Sequence, residues 1–108
     1  MKGVNILKHP AVELLVDGIV AMASPSEIYM YSSKTNFKGE LTSFKLCLVV
    51  SDEFDKLKLE TDIYMDLECE IPFDILIYHD SEFDELYHQT GSFANKVFEG
   101  GELLYEQA

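Results

Sequence analysis

Five consecutive apolar residues, Leu46-Cys47-Leu48-Val49-Val50, close a stretch from Ser43 that begins with alternating polar and apolar positions. A run without a polar face suits a central strand buried on both sides. It is far shorter than the ~20 residues of a membrane-spanning helix, so it belongs to a folded interior. The sheet built around it has to be small. At 108 residues the chain has room for one core and not for two, and a single domain over residues 1–108 is expected.

The flanking patterns supply the other elements. Val4, Leu7, Ala11, Leu14, Leu15, Gly18, Ile19 and Met22 follow the i, i+3, i+4 spacing of an amphipathic helix. Pro10 leaves two starts open: a short turn before the helix, or a helix that begins near Pro10 itself. Ser24-Pro25-Ser26 ends it. Glu27–Tyr31 is rich in strand formers, and the polar stretch from Ser32 to Thr42, with Gly39 inside it, reads as a loop.

Downstream, Asp52–Asp55 is a polar loop. Leu59, Ile63, Leu67 and Ile71 recur every four residues, while Ile63, Met65, Leu67 and Cys69 recur every two. The carboxylates between them favour a surface helix stopped by Pro72. Phe73–Tyr78 is a third strand, Ser81 fits as the N-cap of a helix with Asp84 at the capping-box position, and that helix carries Phe83, Leu86 and Tyr87. A short helix from Ser92 to Phe98 runs into Gly100-Gly101, and Glu102–Glu106 makes a short terminal strand. The order predicts an α+β (α/β) domain with helices flanking a mixed three- to four-stranded sheet.

Charge narrows the functions open to such a domain. Twenty acidic residues face eight lysines, arginine is absent, and the net charge is −12. Residues 1–51 hold five lysines against four acids, whereas residues 52–108 hold three against sixteen. Direct nucleic-acid binding and docking on an anionic membrane both need clustered cations and are poor fits. Cys47 and Cys69 lack metal-ligand spacing, which disfavours zinc and a disulfide framework. No leader pattern is legible at the N-terminus, so cytoplasmic residence is the default expectation.

Three stretches in order, Ile28–Lys34 leading to Leu46–Val50, then Pro72-Phe-Asp-Ile-Leu-Ile, then Phe98-Glu-Gly-Gly-Glu-Leu-Leu-Tyr-Glu, resemble the minimal nucleotidyltransferases of the polymerase-β-like superfamily, small domains of prokaryotic type. That family has Gly-Ser-Arg after its first strand, Asp-x-Asp on the second and a further Asp on the third. Nucleotidyl transfer needs positioned Mg²⁺, which the three carboxylates clamp. With Ser32-Ser33-Lys34 set on Gly-Ser-Arg and no gaps, the Asp-x-Asp positions fall on Phe44 and Leu46. Neither can bind a cation. Asp74 alone stands at a family carboxylate position, as the candidate catalytic residue.

The resemblance leaves Ser32, Ser33 and Lys34 as candidate nucleotide-binding residues. Ser32 replaces a glycine, which costs roughly 1–2 kcal/mol where left-handed geometry is required, and Lys34 lacks the planar fork of arginine. Asp52, Glu53 and Asp55 are an unpromising substitute metal set, because they lie ~20 Å from the family's site at ~3.3 Å per strand residue. His9, His79 and His88 are scattered, and Tyr29, Tyr31, Phe73 and Tyr78 read as sheet packing.

What the resemblance implies is a nucleotidyltransferase-like pseudoenzyme with a degenerate active site, no metal and no cofactor. Relatives of this size pair with a small helical HEPN-type protein as toxin and antitoxin, so the expected role is a binding or antitoxin-like subunit for such a partner or a homo-oligomer. Two alternatives stay open. One is an active nucleotidyltransferase using Mg²⁺ and a nucleoside triphosphate, with ligands from a partner or a shifted alignment. The other is an acidic interaction module for a basic protein.

Overall fold

Pro10 stands at the first helical position, where its missing N–H goes unneeded, and the first helix starts there. The computed structural model describes residues 9–107, and in it α1 spans Pro10–Ala23. His9 caps α1 by accepting the Ala11 N–H at its Nδ1, 3.1 Å away. Ser24 ends the helix in the left-handed region (φ 41°), its N–H donating to the Val20 carbonyl. Of the start points left open by the sequence, the one at Pro10 is realised; Val4 and Leu7 lie outside the described residues. The buried face is Ala11, Val12, Leu15, Ile19 and Ala23, and Leu14, on the expected stripe, is 71% exposed.

β1 (Glu27–Thr35) and β2 (Leu41–Val50) form an antiparallel hairpin longer than the sequence suggests. The expected loop over Ser32–Thr42 contracts to Asn36–Glu40. Asn36 explains the contraction: its side-chain oxygen accepts the N–H groups of Lys38 and Glu40, and Gly39 takes φ +82°. Ser32, Ser33 and Lys34 therefore lie in a strand, with a β-bulge between Met30 and Ser32. Ser32 has no positive φ, so the strain foreseen for replacing a glycine there does not arise.

α2 spans Lys56–Asp66, capped by Asp55, whose carboxylate accepts the Lys58 N–H. The sequence predicts that it continues to Ile71. Instead Leu67 turns extended (φ −111°, ψ 138°), and from there burial alternates through Cys69, Ile71 and Phe73. Both periods written into this stretch are used in succession. Four-residue spacing buries Leu59 and Ile63, and two-residue spacing takes over once Leu67 packs against the bare α-carbon of Gly18.

β3 (Phe73–His79) pairs in parallel with β2, and β4 (Glu102–Glu106) in antiparallel with β1. The sheet order is β3-β2-β1-β4. Edge strand β3 is partly closed by Tyr64, whose hydroxyl accepts the Ile75 N–H. Between them run α3 (Asp80–Leu86) and α4 (Phe93–Gly100). The N-cap of α3 is His79 and not Ser81. Its partner is Glu82 and not Asp84, with the Glu82 carboxylate accepting the His79 N–H at 2.9 Å. Ser81 sits one residue inside the helix and donates its N–H to Asp52.

Among the described residues, four helices and a mixed four-stranded sheet make an α+β fold, as the sequence predicts. α1 and α2 cover one face, meeting Ile28, Met30, Phe44, Leu46, Leu48 and Val50. α3 and α4 cover the other through Phe83, Ala94 and Val97 on Tyr29, Cys47 and Val49. β2 is the strand buried on both sides. No described helix is long and apolar enough to cross a membrane.

Candidate functional site

Strand register decides what the candidate residues can do together. β1 and β2 pair Ser32 with Lys45, Ser33 with Phe44 and Lys34 with Ser43. β2 and β3 pair Lys45 with Asp74, and Leu46 with Ile75. Paired residues share a face and neighbours along a strand alternate. Ser32, Lys34, Ser43, Lys45 and Asp74 consequently lie on the face of α3 and α4, beyond the end of those helices. Ser33, Phe44 and Leu46 belong to the opposite face.

The first group meets around a concavity of about 310 Å³, lined by Ser32, Lys34, Ser43, Phe44, Lys45, Pro72, Phe73 and Asp74. Two ammonium groups, one carboxylate and two hydroxyls border it. Ser43 and Lys45 come opposite Lys34 and Ser32 through the antiparallel hairpin, and the parallel pairing of β2 with β3 brings Asp74 to Lys45. Nothing in the local sequence announces that register. Ser33, expected beside Ser32 and Lys34, is excluded by alternation.

Phe44 and Leu46 are core residues, 1% and 0% exposed. The Phe44 ring stacks on Phe73 at 6.0 Å between centroids, and Phe73 stacks on Tyr64 at 5.2 Å. Carboxylates at 44 and 46 would point into this aromatic and aliphatic layer, away from Asp74. Among the described residues no cluster of three His, Cys, Asp or Glu side chains could hold a metal ion. The remaining arrangement suits weak electrostatic capture of a small anion or an acidic side chain, and it lacks the charge to neutralise a triphosphate.

The other candidates hold the fold together. Asp52 and Asp55 accept backbone N–H groups at the starts of α3 and α2, and the Ser81 bond holds the Asp52 carboxyl below its usual range. His79 Nε2 contacts the Phe54 carbonyl at 2.7 Å, and the His88 ring lies against Tyr87. Tyr29 is buried and donates its hydroxyl to Glu27; burial first, and that carboxylate second, push its phenol well above the ordinary range. Burial likewise pushes the Cys47 thiol up to about 12, which makes it an inert packing group.

No protein-family model, curated protein or solved structure matches the chain.

Proposed function

We propose that this protein is a non-catalytic binding subunit: a nucleotidyltransferase-like domain whose metal site has become core, working in the cytoplasm beside a small helical partner in the manner of an antitoxin. The observation that carries the reading is the placement of Phe44 and Leu46, buried on one face of the sheet while Asp74 stands on the other. On the alignment the likeness suggests, Phe44 and Leu46 stand where two metal ligands would be, and the register puts Asp74 on the other face of the sheet. The likeness to minimal nucleotidyltransferases along the chain supports the kind of partner.

Two measurements on the purified protein test it. Co-purification from the native host should bring down a small helical protein in fixed stoichiometry. Incubation with labelled ATP and Mg²⁺ should leave both chains unlabelled. Labelling of either chain that disappears in Asp74→Ala would overturn the proposal and restore the active-enzyme reading.

A further inference from the structure

The sheet has two outer edges, and an edge strand presents backbone N–H and C=O groups with no strand beside them. The two edges differ here. Along β3 the Tyr64 hydroxyl of α2 takes up the Ile75 N–H. Along β4 the backbone of residues 102–106 makes no hydrogen bond away from β1 among the described residues. Just past β4 the Gln107 N–H donates to the Ser26 carbonyl at 2.8 Å, which ties the end of the strand to the sheet. The outer side of β4 is therefore held in strand geometry and left unpaired.

A hollow of about 350 Å³ lies beside this edge, between α1 and β4. Val12, Val16, Leu104 and Tyr105 supply its apolar lining, and Glu13 and Asp17 supply exposed carboxylates. No lysine lines it. On the other face of the sheet β4 presents Leu103, 42% exposed, which pairs with Tyr29 of the layer under α3 and α4. Glu102 and Glu106 stand at the two ends of the strand.

Charge decides which strand can pair here. A second copy added antiparallel about Leu104 would set Glu102 against Glu106 twice, and like charges directly opposite are destabilising. A basic strand meets only opposite charge. Side chains alternate across a strand, so those of an added strand on the α1 side reach the hollow. There a lysine or arginine stem covers the apolar lining while its head meets Glu13 and Asp17. Side chains on the opposite side meet Leu103.

We propose that β4 accepts a fifth strand from a partner protein, an extended segment in which basic and apolar residues alternate. Main-chain hydrogen bonds to the open edge supply the binding, and the acidic hollow selects the sequence. This surface is independent of the likeness to nucleotidyltransferases.

An end-capped octapeptide of alternating lysine and valine is the probe. It should bind the full chain in calorimetry, weaken steeply as salt rises, and slow hydrogen exchange at the β4 amides that face away from β1. Alternating glutamate and valine should bind at least ~10-fold more weakly. So should the lysine peptide with methylated backbone nitrogens, which keeps its charge and loses its donors. Glu13→Lys/Asp17→Lys, at exposed helix positions, should leave the thermal melt close to wild type and lower affinity for the lysine peptide at least ~10-fold. Binding indifferent to backbone methylation, or unchanged in Glu13→Lys/Asp17→Lys, is general attraction to an acidic protein and overturns the proposal. So does the absence of binding at millimolar peptide, or a dimer of this chain that protects the same β4 amides.

Discussion

Phe44→Asp would put a carboxylate where a fully buried ring now stacks on Phe73. Loss of a buried phenylalanine alone costs about 3–5 kcal/mol, and an unpaired charge in its place adds to that. Chemical denaturation of this variant should therefore show a protein destabilised by at least ~3 kcal/mol, with no gain of Mg²⁺-dependent nucleotide binding in calorimetry. A stable Phe44→Asp/Leu46→Asp protein that bound Mg²⁺ would contradict the placement of these residues. Gly101 is equally sensitive for a different reason. A β-carbon there would lie 2.6 Å from the Val97 carbonyl oxygen and 3.3 Å from that of Met30, both backbone atoms. Backbone cannot swing aside as a side chain does, so Gly101→Ala should lower stability by about 1–3 kcal/mol in the same measurement. The Gly100-Gly101 pair is legible as a helix stop, and the contact that demands glycine at 101 is mostly local, the Val97 carbonyl of α4, with that of Met30 in β1 closing in from the sheet.

Helix α3 depends on a short electrostatic arrangement at its start. Glu82 accepts the His79 N–H and pairs with Lys56 at 2.8 Å, and its carboxyl is held below the usual range, first by the His79 N–H and then by Lys56. A carboxylate with a lowered folded-state value binds its proton less readily in the native protein than in the unfolded chain. Its contribution is complete above the ordinary glutamate value of about 4.3 and is lost as pH falls through the lower folded one. Glu82→Gln keeps an acceptor and removes the charge, so its melting temperature should lie below wild type at pH 7, with the gap closing in acid below about pH 4. A gap that persisted unchanged at low pH would show that charge is not what Glu82 supplies. The same element shows how far sequence signals reach. Ser81 and Asp84 satisfy a capping pattern on paper, yet the cap falls two residues earlier, because β3 runs on to His79 and delivers the chain directly into the helix. In α2 the ambiguity of two periodicities was visible, but the residue at which one yields to the other was set by Leu67 meeting Gly18 of α1.

Across the whole molecule, β2 is the element on which both layers close. Leu46, Leu48 and Val50 are buried under α1 and α2, and Cys47 and Val49 under α3 and α4. Native-state hydrogen exchange should find the amides of residues 46–50 opening only with global unfolding, while the segment between α2 and β3 exchanges through local opening. Protection no greater at 46–50 than at 67–71 would mean that the two layers do not unfold together. The apolar run of β2 could be read directly, because five large side chains without a polar face need cover on both sides wherever they are placed. Helix positions, the α+β class and the acidic lower half were legible for the same local reason: periodicity, chain breakers and charge are properties of neighbouring residues. Register is of another kind. That Asp74 stands beside Lys45 and across the sheet from Phe44 and Leu46 depends on which strands pair and by how many residues they are offset. Those offsets come from packing both faces of the sheet at once, a condition that no short stretch of chain contains.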